Sequence, residues 1–134
     1  MTGASYHLNS NGIAITVRPR YAPEHSDPAE PRYVFIYHIR IENEGERTVQ
    51  LRWRHWYIHD DVAGESEVQG EGVVGEQPVL APGASFEYTS GVPLPTPSGF
   101  MSGTYGMTSV SGERFEIEIP AFSLDGPDSK RTIN

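Results

Sequence analysis

Three glycines in six residues, Gly70, Gly72 and Gly75, spell G-x-G-x-x-G within the run Glu67-Val-Gln-Gly-Glu-Gly-Val-Val-Gly-Glu-Gln-Pro78. That spacing can cradle a pyrophosphate on backbone N–H groups when a strand enters the glycines and a helix leaves them. Proline denies the helix: Pro78 follows the last glycine by three residues, and Pro82-Gly83 comes soon after. A cradle of the dehydrogenase type is therefore excluded. Two readings remain, a helix-free nest of N–H groups for a pyrophosphate or nucleotide, and a tight connection in which glycine supplies positive φ. Glu65, Glu67, Glu71 and Glu76 crowd the loop, and no lysine or arginine lies between Arg54 and Arg114. Their repulsion of phosphate favours the turn, unless the fold brings Arg52 or Arg54 to it. The candidate ligand set is accordingly Gly70, Gly72, Gly75, Arg52 and Arg54.

His55, His59, Asp60 and Asp61 look like a metal cluster by type but not by spacing. Residues four apart on a strand share a face yet stand roughly 13 Å apart, too far to share one ion. His59 with Asp61 is a close same-face pair, and two ligands do not make a tight site, so no metal or other cofactor is expected. There is no G-x-S-x-G elbow and no carboxylate pair in a setting that would raise one pKa, so no enzyme is expected either. The charge of -8 over 134 residues opposes nucleic-acid binding, which rests on neutralising phosphates. Nine arginines against Lys130 leave any anion contact to arginine. The absence of cysteine excludes disulfides and thiolate metal sites. The longest apolar run, Tyr33 to Tyr37, is far below a membrane span, and the N-terminal residues carry no leader pattern, so a soluble cytoplasmic protein is the expectation.

These residues must be positioned by strands. Ile13, Ile15 and Val17 alternate with small or polar neighbours up to Pro19. Arg32 to Glu44 is the strongest strand signal, with Phe35, Tyr37, Ile39 and Ile41 on one face. Thr48 to Asp60 pairs back as a hairpin; unbroken alternation puts Leu51, Trp53, His55 and Tyr57 on one face and Arg52, Arg54, Trp56 and Ile58 on the other. One tryptophan then lies in the core and one outside. Trp56, beside Arg52 and Arg54, is the candidate interaction surface, in the aromatic-plus-arginine composition enriched at binding sites. Glu65 to Gln69, Ser85 to Ser90, Gly99 to Val110 and Arg114 to Phe122 supply further strands. Prolines 93, 95 and 97 mark a crossover that cannot be a central strand. With a small barrel of the same periodicity as the alternative, about seven strands, no helix and turn signals throughout predict an all-β antiparallel sandwich. It forms one domain over 1–126, with a polar tail over 127–134.

Taken together, Tyr33-Val-Phe-Ile-Tyr37, Arg54-His-Trp-Tyr-Ile58, the run Glu67 to Pro78, Leu80-Ala-Pro-Gly83, Tyr88-Thr-Ser-Gly91 and Gly99-Phe-Met-Ser-Gly-Thr-Tyr105 resemble the bacterial ApaG family over roughly residues 5–126. The resemblance implies a fibronectin type III or immunoglobulin-like sandwich. The same domain recurs in eukaryotic F-box proteins and in a polymerase-delta-interacting protein, as a protein-interaction module. It also implies a link to cobalt and magnesium resistance and a gene neighbourhood with a diadenosine tetraphosphate hydrolase. One site carries over, Gly70, Gly72 and Gly75. The expected partner is another protein, with a pyrophosphate or nucleotide at Gly70 to Gly75 as the alternative. Neither nucleic acid nor membrane is expected as a partner, and no residue pattern sets the oligomeric state.

Overall fold

The computed structural model describes residues 4–62 and 64–127. Among the described residues the two sheets are built from nine strands: β1 (Tyr6–Ser10), β2 (Ile13–Tyr21), β3 (Tyr33–Asn43), β4 (Val49–Asp60), β5 (Gly64–Glu71), β6 (Val79–Leu80), β7 (Ser85–Leu94), β8 (Ser98–Ser109) and β9 (Arg114–Asp125). One sheet runs in the order β1-β2-β3-β7 and the other β5-β4-β8-β9, with the short β6 also paired to β4, and every pairing is antiparallel. The expected sandwich is what forms, with two more strands than the alternation alone marks. Most of the polar tail, 128–134, lies outside the described residues. Among the described residues no helix is long and apolar enough to cross a membrane.

The prolines explain where strands become edges. β1 begins at Tyr6, opposite Val17, so from Arg18 onward β2 has β3 on one side only. Pro19 sits in that freed stretch, where a missing N–H costs no ladder bond, and β2 runs on to Tyr21 instead of stopping at Pro19. Pro93 likewise lies in β7, the outer strand of its sheet. Asn11 and Gly12 have φ of 53° and 81°, the paired positive values of a type I′ hairpin, and they close β1 onto β2.

The core lies between the sheets. Ile15, Val17, Phe35, Ile39 and Ile41 face Leu51, Trp56, Met101, Tyr105, Ile117 and Phe122, all buried. One flank is closed, since β1 and β2 pack against β9; the Tyr6 and Phe122 rings meet at 6.2 Å, and the Ser123 N–H donates to the Tyr6 hydroxyl at 3.3 Å. At the opposite flank, β5 and β7 border a cleft.

Candidate functional site

The glycine-rich stretch is the end of a hairpin. β4 pairs with β5 from Trp53 opposite Glu71 to Asp60 opposite Gly64, and the chain turns after Glu71. Val73 and Glu76 form a bridge, exchanging both hydrogen bonds at 2.8 and 2.9 Å. Between them Val74 and Gly75 have φ of 43° and 82°, so this is a two-residue turn of the I′ kind. Gly72 also has positive φ, 65°, and a Cβ there would stand 2.2 Å from the Glu76 carbonyl oxygen. Gly70 serves a different need: its missing Cβ makes room for the Arg54 guanidinium, which would lie 2.9–3.0 Å away. Each glycine thus has its own steric reason, which accounts for the spacing without a ligand.

The N–H groups follow the same logic. Gly72 donates to the Arg52 carbonyl at 2.8 Å, and Val73 and Glu76 donate to each other's carbonyls, so those three amides are spent within the protein. Arg54 does reach the loop, but its Nη1 donates to the carbonyls of Glu71 and Gly72 at 3.1 and 2.9 Å. Arg52 contributes mainly backbone, its carbonyl accepting from Gly72 and from the Gln77 side chain at 2.8 Å. The turn carries one strained residue, since Val74 is β-branched at positive φ and half exposed. Val74→Asn gives the residue pair that type I′ turns favour and is expected to raise stability by about 1 kcal/mol in urea denaturation; an unchanged or lower midpoint would show that the turn is unstrained.

A β-bulge decides which aromatic rings face outward. β4 and β8 shift register between Leu51 and Trp53, where two steps on β4 match one on β8, so Arg52 is the extra residue and the facing reverses there. Leu51 points inward; beyond the bulge Trp56 points inward and Trp53 outward. This corrects the expectation of unbroken alternation and the choice of Trp56 as a surface. Trp56 is 3 % exposed and packs against Tyr37, Phe122 and Tyr105 at centroid distances of 5.5, 5.9 and 6.3 Å. The aromatic surface belongs instead to Trp53, His55, Tyr57 and His59, successive outward residues of β4.

These side chains are organised among themselves. The Trp53 indole packs against Gly106, where a Cβ would meet the ring at 1.7 Å, and the Arg114 guanidinium covers the ring at 4.9 Å. His55 stacks on Tyr57 at 4.5 Å, and His59 stacks on Phe100 of β8 at 4.7 Å. Tyr57 and Phe100 remain 40 and 44 % exposed. Carboxylates flank this stripe: Glu65, Glu67 and Glu71 stand opposite His59, Tyr57 and Trp53 on β5, and Glu116 and Glu118 lie beyond β8 on β9. The His55 Nε2 meets a Glu67 oxygen at 2.7 Å. Among the described residues no three His, Asp or Glu side chains converge as metal ligands.

Of the predicted set, the fold brings Arg54 against Gly70 and Gly72, uses Arg52 mainly through its backbone, and leaves Gly75 over open space. Arg54 and Trp56 face inward together and line the flank cleft of about 480 Å³.

The ApaG domain family matches residues 23–109. Protein ApaG of Rhodospirillum centenum is 60 % identical over 129 residues, covering 96 % of this chain and 99 % of that protein. Protein ApaG of Bradyrhizobium diazoefficiens is 58 % identical over the same length, with the same coverage. A crystal structure of the ApaA protein from Bordetella pertussis superposes with a TM-score of 0.84 at 49 % identity, covering 90 % of this chain and 98 % of that one.

Proposed function

The chain belongs to the ApaG family, and on that footing we propose that it is a non-enzymatic binding module acting through protein contacts on the outer face of its five-stranded sheet. The observation that carries this reading is the stripe of Trp53, Tyr57 and Phe100, interleaved with His55 and His59, on a face that an isolated sandwich would cover with polar side chains. Exposed aromatics in a polar rim are the composition of interface cores. Any role in divalent-cation handling would then run through the partner.

The pyrophosphate reading has one observation in its favour, the Arg54 guanidinium beside Gly70, and against it the pairing of the Gly72, Val73 and Glu76 amides. One experiment separates the two. A photo-crosslinking residue at Tyr57 is expected to yield a discrete protein adduct in cells, absent when the same residue replaces Thr16 on the other sheet and lost on Phe100→Ala. The same surface substitutions should shift stability by less than about 1 kcal/mol. Identical adducts from both faces would defeat the protein-contact reading; saturable movement of the Gly70 to Gly75 amides on adding pyrophosphate would establish the other.

A further inference from the structure

The flank cleft has a built polarity. Its walls are the inward face of β4, the exposed strand β5 and the edge strand β7, and about 480 Å³ is within the range of small-ligand sites. Arg54, Tyr37 and Ser90 line it toward one end and Asp60 toward the other. Arg54 and Asp60 are six residues apart on one strand, about 20 Å, so donors and acceptors are well separated. Between them the wall is apolar, with Trp56, Val92 and Leu94.

Arg54 is half-buried, and its two hydrogen bonds both leave Nη1 for neutral carbonyls. Among the described residues no carboxylate forms an ion pair with it. A partly desolvated guanidinium with five donors and no counter-ion favours an anion from outside.

The cleft is also closed to another strand. Val34 sends its N–H to Ser26 and its carbonyl to Ala22, away from β7, so Val34 and Pro93, its partner in the register, are not joined by hydrogen bonds. The nitrogen of Pro93 therefore faces the free edge, where an incoming strand would need a donor and finds none. A compact ligand fits where a β-strand does not.

We propose that this cleft binds an amphipathic monocarboxylate, its carboxylate at Arg54, Tyr37 and Ser90 and its apolar body along Trp56, Val92 and Leu94. Asp60 fixes the orientation and disfavours a second negative charge at the far end. The site lies on the opposite face of β4 from the aromatic stripe and stands or falls independently of it.

Amide mapping of the intact chain with octanoate, octylamine and octanedioate tests this. Octanoate is expected to shift the Trp56 indole and the amides of residues 90–94 saturably, and the other two to bind at least roughly tenfold more weakly. Arg54→Lys should retain weakened octanoate binding and Arg54→Gln should lose roughly 10- to 100-fold. Because Arg54 also braces the glycine turn, Val68→Trp is the second variant; Val68 faces the cleft from an exposed strand, and a bulky ring there should abolish the shifts without lowering the melting temperature. Equal affinity for octanoate and octylamine, wild-type octanoate binding by Val68→Trp, or no saturable shift would each overturn the assignment.

Discussion

Trp56→Ala is expected to destabilise the fold by about 3–5 kcal/mol, the usual cost of removing a large buried aromatic side chain. The ring is packed edge-on against Tyr105 of its own sheet, Phe122 of β9 and Tyr37 of the facing sheet, so no single neighbour can relax into the space. Against a total stability of about 5–15 kcal/mol this is a large fraction, and for a chain of this size it corresponds to a fall in melting temperature of roughly 10–20 °C. Tyr57→Ala, one position along the same strand but facing outward, should stay within about 1 kcal/mol of wild type. Paired urea titrations of the two variants read the bulge directly. Were Tyr57→Ala the more damaging, the facing of β4 beyond Arg52 would be reversed and the aromatic stripe would be core.

That contrast marks the limit of what alternation alone reveals. β3 is legible because aromatic and β-branched residues alternate without interruption from Phe35 to Ile41. The sandwich follows from such strands separated by turn residues. A bulge, however, inserts one residue whose type carries no mark: Arg52 is an ordinary strand residue, and only its register with β8 shows that two positions there face one. Trp53 and Trp56 could be assigned to opposite faces from spacing, but which of them is inside depended on that one insertion. β1 did have a signal in the Asn11-Gly12 pair, the residue combination most specific to type I′ hairpins.

The candidate site divides the same way. Pro78 in the sequence suffices to deny the glycine run an outgoing helix. The individual reasons for Gly70 and Gly72 depend on distant atoms, the Arg54 guanidinium and the Glu76 carbonyl, which only the hairpin register brings near. The flank cleft is less legible still. It exists because β5 and β7 end their sheets on the same side, a fact of strand order that no local pattern encodes.

The core also makes stability fall steeply at alkaline pH. Tyr88 on one sheet and Tyr105 on the other share a hydrogen bond between their hydroxyls across the core. Burial, the largest influence on each, pushes both phenols well above their ordinary range. Tyr37 is raised in the same direction, again chiefly by burial, with the Ser90 hydroxyl and Arg54 opposing. In the unfolded chain these phenols ionise near pH 10. Their folded values lie higher, so their contribution to stability is complete below about pH 10 and disappears as pH rises toward the folded values, because the unfolded state releases protons that the native state retains. Each such tyrosine removes about 1.4 kcal/mol per pH unit between its unfolded and its folded value, and nothing further beyond. Tyr88 and Tyr105 together therefore make alkaline pH strongly destabilising for a fold of marginal stability. Part of the tyrosinate absorbance should accordingly appear only in step with cooperative unfolding followed by circular dichroism. Single replacement of either tyrosine leaves a buried hydroxyl without its partner, at about 1–3 kcal/mol. Tyr88→Phe/Tyr105→Phe removes both hydroxyls, and this double variant should unfold at higher pH than wild type. Full tyrosinate formation at about pH 11 with the native circular dichroism spectrum intact would show that these phenols are open to water, and would reverse the prediction.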